Sequence, residues 1–224
     1  MIEALHLDTV SVLKKKSTTN KLHTDNNSIR VRKVLPKDVD TIYSIACSVG
    51  TKNKDSTQGF LMDNYTSSPN KYKKFFLKKI EELDYFYIAQ SHKPLGFLMA
   101  YTKNQWLKDN PNWIQDIYWS PDFNQNKTNN FIVIDKTAIL AGYTGKGIGS
   151  RLYKRLIVDI AKAGITNIFA ETIISPTPNL ASLAFRKKQK YTLAGVRYEK
   201  YEKKLYTDLI YYKSVDKVKL QGTM

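Results

Sequence analysis

Apolar positions alternate through Ile29 and Val31, slip by one, and resume at Val34 and Leu35, which predicts a first strand in "SIRVRKVLP". Past Pro36 the period changes: Val39, Ile42, Tyr43, Ile45 and Ala46 share one helical face, so "PKDVDTIYSIACSVG" is expected to be a helix with Pro36 near its start. "TKNKDSTQ" has no apolar period and reads as a loop. The helical period restarts in "SSPNKYKKFFLKKIEEL", with Ser68 as N-cap, Pro69 in the first turn, and Tyr72, Phe75, Phe76 and Ile80 facing inward. Two strands follow, "YFYIAQ" and "LGFLMAYT", joined by "SHKP" in a hairpin whose turn puts His92 in solvent.

Residues 103–130 carry Trp106, Trp113, Trp119 and Phe123 without a clear period, and a connection that long implies a function or local structure of its own. It reads either as a cover over a binding site or as a packed excursion anchored by aromatics, or a dimer contact. "FIVIDKTAIL" is the strongest strand signal. After it, Ile148, Leu152, Leu156, Ile157 and Ile160 fall at helical spacing, Arg151, Lys154, Arg155 and Lys162 take other positions, and Gly164 closes the helix. "NIFAETII" predicts another strand. A short helix from about Pro178, a strand from near Tyr191 and a final strand in "DLIYYKSV" complete the pattern, and this last strand and the aromatic excursion are each candidate dimer contacts. Residues 1–28 mix Leu5, Leu7, Val10, Val12 and Leu13 with "KKKSTTNKLHTDNNS", an arm and linker ahead of a domain at 29–215, with a tail at 216–224.

Charge adds one constraint. Lys and Arg number 36 against 20 Asp and Glu, a formal net charge of +16, which sets up a field attractive to polyanions. The chain is also rich in Asn, Ile and Tyr, so a general lysine bias accounts for part of the excess; a solvated basic surface or a small phosphorylated ligand is favoured over nucleic acid. The single cysteine, Cys47, lies in an apolar stretch and fits a reducing compartment. No run approaches the roughly 18 apolar residues of a membrane span, and the expected location is cytoplasmic.

The candidate chemistry lies in "GYTGKGIGSRLY", where four glycines precede a helix. Free N–H groups of a first helical turn bind anions, and glycines let a phosphate approach the backbone. A nucleotide-triphosphate loop needs Lys where this chain has Ile148. A dinucleotide fingerprint through Gly145 and Gly147 meets Ser150 at its third position, and although Glu171 lies at a tolerable distance for a ribose contact, too little chain follows for the paired halves of that fold.

Two ordered motifs point elsewhere. "TGKGIG", Thr144 to Gly149, is similar to the pyrophosphate loop Q/R-x-x-G-x-G/A of the GCN5-related N-acetyltransferase (GNAT) superfamily, and "NLASLAFRKKQKYTLAGV" resembles its later signature, with Asn179, Ser182, Phe185 and Lys188 in register and Tyr191 at the final aromatic position. The resemblance runs from about Ile29 to Val215. It implies an α/β fold with a central twisted, mixed, mostly antiparallel sheet of about seven strands flanked by about four helices and splayed between strands 4 and 5. The chain departs from the pattern at Thr144, which replaces Gln or Arg; at Arg186, where the family often has a proton-donating Tyr; and at Lys190, which replaces Gly.

The resemblance implies an N-acetyltransferase that uses acetyl-CoA as co-substrate, with no metal. The pyrophosphate would take the amides of Gly145, Lys146, Gly147, Ile148, Gly149 and Ser150 in the loop opened by Thr144, and the pantetheine arm would pair with the backbone of Thr137, Ala138 and Ile139. Asn179 and Ser182, with Phe185 in the same motif, would face the far side of the coenzyme. A backbone N–H near Ile139 could polarise the developing oxyanion. Glu171 is the candidate base and Asp135 the second choice; Tyr191 is the candidate acid. Each has a structural alternative: a Glu171–Lys pair, an Asp135–Lys136 pair, and a core role for Tyr191. The acceptor is an amine of a small molecule or protein, which Asp109, Asp116 and Asp122 could attract, and the chain is expected to be a monomer or homodimer. A catalytically degenerate CoA-binding or nucleic-acid-binding regulatory module is the alternative, suggested by Arg186 and the basic run "RKKQKYTLAGVRYEKYEKK".

Overall fold

The structure, a computed structural model, describes residues 29–49 and 55–215; the expected arm at 1–28, part of the "TKNKDSTQ" loop and the tail at 216–224 lie outside the described residues. In chain order the elements are β1 (Arg30–Lys33), α1 (Val39–Val49), α2 (Pro69–Glu82), β2 (Tyr85–Gln90), β3 (Pro94–Thr102), α3 (Lys103–Asp109), β4 (Ile117–Trp119), β5 (Phe131–Ile139), α4 (Ile148–Lys162), β6 (Asn167–Ser175), α5 (Leu180–Lys188), β7 (Thr192–Tyr201) and β8 (Lys204–Ser214). The strands form one sheet in the order β1-β2-β3-β5-β6-β8-β7-β4, antiparallel everywhere except between β5 and β6.

Strand periodicity divides the core between two faces. Phe131 and Val133 of β5 join Phe97, Phe169 and the inward residues of α1 and α2, Ile42, Ile45 and Phe76; Ile132 and Ile134 join Leu98, Ile168 and the α4 residues Leu152, Leu156 and Ile160. Because helices cover both sides, the first half of β5, Phe131 to Ile134, reads as an unbroken apolar run. Ser68 precedes α2 as expected, yet its hydroxyl makes no capping hydrogen bond, and Pro69 occupies the first helical turn.

The 103–130 segment corrects the element count to eight strands and five α-helices among the described residues. Thr102 caps α3, accepting from the Gln105 amide while the Gln105 side chain returns to the Thr102 N–H. β4 adds a short edge strand to β7. Seven helical and three strand residues are too few to display a period, which is why neither is visible in the apolar pattern. The aromatics do anchor the segment: Trp106 and Trp113 are buried, and Trp119 stacks on Phe123 at 5.0 Å between centroids. β8, one of the segments the sequence offers as a dimer contact, pairs along both edges with β6 and β7 and leaves no edge for a second chain.

The sheet forks where expected. β5 pairs with β6 only from Phe131–Asn167 to Ile134–Ala170, although β5 continues to Ile139 and β6 to Ser175. Asp135 is an extra residue in β5, since Met99 pairs with Lys136 and Ala100 with Ile134. Such a bulge bends its strand, so β5 follows β3 while β6 follows β8, and a cleft opens between them.

Candidate active site

The glycine loop leads into α4 at the head of this cleft. Gly145 and Gly147 both hold φ +81, the left-handed region that a side chain disfavours, and Gly147 stands at the N-cap position of α4 with no side chain satisfying the first-turn N–H groups. Gly149 serves packing instead: a Cβ there would meet the Phe185 ring at 3.2 Å, so its absence lets α4 lie against α5. The Lys146 amide already donates within the turn to Tyr143 at 3.4 Å, and its ammonium lies over the Tyr143 ring at 4.5 Å.

Loop, fork and α5 enclose a cleft of about 330 Å³. Thr137, Ala138 and Ile139 of β5, Thr144, Gly145, Gly147, Ile148, Gly149 and Ser150 of the loop and helix start, and Asn179, Ser182 and Phe185 all line it. β5 offers one free edge here, because β3 occupies the other and β6 has diverged. The Thr137 hydroxyl is buried without a hydrogen-bond partner. Asn179 holds the far wall together: its carbonyl oxygen accepts from the Ser182 amide at 3.1 Å and its amide donates to the Phe60 carbonyl at 3.0 Å, tying the segment before α2 to α5.

Among the described residues the lining contains no carboxylate, but it contains Arg186 and, exposed on α5, Lys188. Arg186 is only 6% exposed. Its Nη1 donates to the Tyr153 hydroxyl, its Nε lies 3.4 Å from the Thr172 hydroxyl, and its guanidinium stacks over Tyr191 at 5.3 Å.

The opposite face of β6, β8 and β7 has the reverse character. Glu171 is the first β6 residue beyond the paired segment, and it accepts hydrogen bonds from Trp113 Nε1 at 2.7 Å and Arg197 Nη1 at 3.1 Å. Burial pushes its carboxyl above the ordinary range, opposed by Arg197. Arg197 also bridges Glu199 at 3.0 Å and is paired in register with Asp208. Asp208 is 2% exposed with Oδ2 unpartnered; burial, then the charges of Glu171 and Glu199, raise it to about 8. Asp135 is bound by Lys136 at 3.0 Å.

The sequence model of the acetyltransferase (GNAT) family matches residues 53–191. The chain belongs to the GNAT acetyltransferase family. Among solved structures, an N-acetyltransferase from Staphylococcus aureus Mu50 superimposes with TM-score 0.55 at 16% identity, over 84% of this chain and 99% of its own. The yncA protein of Salmonella typhimurium with its cofactor acetyl-CoA gives 0.55 at 12%, over 85% and 95%. The paiA N-acetyltransferase of Thermoplasma acidophilum in complex with coenzyme A gives 0.53 at 19%, over 84% and 99%. No curated protein sequence matches the chain.

Within this GNAT fold the expected coenzyme residues converge on one cleft, apart from the Lys146 side chain. Glu171, Asp135 and Tyr191 are not part of its lining; Tyr191 is buried behind Arg186, where desolvation holds its hydroxyl well above the ordinary range. The excursion does not reach the cleft, Asp109 is bound to Lys79 at 2.9 Å, and Asp116 and Asp122 are exposed elsewhere. Pattern reading missed Tyr143, Tyr153 and the 57–61 segment in the lining. A tyrosine on the apolar face of α4 was the available signal for Tyr153; nothing in the sequence singles out 57–61. Among the described residues no helix is long and apolar enough to cross a membrane.

Proposed function

We propose that this GNAT chain is an acetyl-CoA-dependent N-acetyltransferase acting on a primary amine. The observation that carries the reading is the fork between β5 and β6, with a glycine cradle at its head, an unpaired strand edge along one wall, and, among the described residues, a lining free of carboxylates. The groups present fit the coenzyme: uncapped first-turn N–H groups of α4 suit its pyrophosphate, the free edge of Thr137–Ile139 suits its amide-bearing arm, and the unpartnered Thr137 hydroxyl lacks only a ligand group. Bound there, acetyl-CoA supplies an activated thioester carbonyl.

The chain's own residues supply position and proton transfer. The N–H near Ile139 polarises the acyl oxygen, and Glu171, on β6 just past the point where β5 and β6 part, takes the proton of the incoming amine, its raised carboxyl pKa matching that task. Asp63, Asp135, Glu199 and Asp208 share Glu171's side of the sheet against Lys136 and Arg197, an excess of acid that suits a cationic acceptor.

Calorimetric titration of dialysed protein with acetyl-CoA, using NAD and GTP as controls, tests the donor. Selective micromolar binding is expected, followed by amine-dependent thiol release across a panel of primary amines. A folded protein that ignores acetyl-CoA overturns the reading.

A further inference from the structure

Resting on that reading, we infer that Arg186 is an anion-binding residue inside the cleft, and that its partner is the coenzyme's sulfur in the thiolate form. A guanidinium cannot shed its proton in a protein, so its burial has to be compensated by other groups. Compensation here is incomplete. Arg186 is 6% exposed, its hydrogen bonds go to the neutral hydroxyls of Tyr153 and Thr172, and no carboxylate among the described residues pairs with it. Arg197 of β7, largely but not fully buried, shows the contrast, since it is bridged by two carboxylates.

Its place in the fork selects the part of the ligand it meets. Tyr153 lies five residues beyond Ile148, about 7 Å deeper along α4 than the phosphate cradle. Thr172 is the second β6 residue past the point where β5 pairing stops. The guanidinium is therefore at the crotch of the fork, away from the loop that serves the phosphates, and the end of the coenzyme arm that reaches this depth is its sulfur. When the amine nitrogen bonds to the acyl carbon and the carbon–sulfur bond breaks, the electron pair stays on sulfur as a thiolate beside Arg186. The proton lost by the amine leaves through Glu171 on the opposite face of β6 and need not be returned to sulfur, so no protonated side chain is required as donor.

Free CoA and its desulfo analogue test this on the unmodified protein. An ordinary thiol titrates near about 8.5, and each unit by which the protein lowers that value multiplies affinity for CoA tenfold above it, while desulfo-CoA has nothing there to titrate. Calorimetry from about pH 6 to about pH 10 should show CoA gaining roughly tenfold or more over desulfo-CoA as pH rises, with thiolate absorbance appearing below the pH at which free CoA ionises. Arg186→Met should abolish the gain and Arg186→Lys should keep part of it. Matching pH profiles for the two ligands in the wild type, or a gain that persists in folded Arg186→Met, overturn the inference. So does an Arg186-dependent preference for succinyl-CoA over butyryl-CoA with no sulfur-linked pH effect, which would assign the anion to a carboxylate on the acyl group. Failure of both CoA and desulfo-CoA to bind would instead remove the coenzyme reading itself.

Discussion

The two faces of the sheet at the fork carry opposite excesses of charge. On the α4 and α5 side, Arg186 is buried in a cleft that no carboxylate of the described residues lines. On the other, Arg197 is surrounded by Glu171, Glu199 and Asp208. The difference lies in how each excess can be relieved. A crowded carboxylate can keep a proton near neutral pH, as the elevation of Asp208 to about 8 shows, whereas a guanidinium cannot lose one and has to find an anion. One side is thus adjustable from within the protein and the other is completed by a ligand.

The largest test of this contrast is on the acidic side. Glu171→Gln keeps an acceptor for Trp113 and Arg197 but removes the charge and the base, so turnover should fall by about 10²–10⁴ while coenzyme affinity stays nearly constant. Wild-type turnover across the pH range in the folded variant would reduce the acidic face to a structural ion-pair network. On the ligand side, Gly147→Val forces a β-branched residue into φ +81 at the mouth of the cradle. Coenzyme affinity should drop by roughly 10–100-fold with the fold intact, measured by calorimetry beside circular dichroism. Unchanged affinity would detach the cradle from the coenzyme.

How much of this was legible depends on the length scale of the signal. The fork, the glycine turn and the cleft wall follow from β5, α4 and β6, each long enough to show its period, and from glycines spaced to need unusual backbone. α3 and β4 were invisible because they are short and because their stabilisation comes from aromatic packing: Trp113 meets Phe131 and Phe169 across large sequence separations. The environment of Arg186 was equally hidden. Its position stood out as a departure from the family motif, but the absence of a carboxylate around it depends on Tyr153, Thr172 and Tyr191 arriving from three different elements. Likewise, nothing local marks Asp208 as a proton-holding acid; its partners Glu171, Arg197 and Glu199 come from two other strands.

The smallest effect sharpens the acidic half of the comparison. In the unfolded chain Asp208 loses its proton near about 3.9, and in the fold near about 8. Between those values the native state holds a proton that the unfolded state lacks, so this group's contribution to stability is complete below about pH 4 and declines as pH rises toward 8. Asp208→Asn cannot ionise and imitates the protonated side chain. The variant should match wild type near pH 4, exceed it by about 4 kcal/mol at pH 7, and show a flatter dependence between, in urea denaturation across that range. Parallel curves for the two proteins would mean that Asp208 sheds its proton in the fold without penalty. Arg197 alone would then balance its three neighbours, and the acidic face would no longer be the side that relieves its charge by protonation.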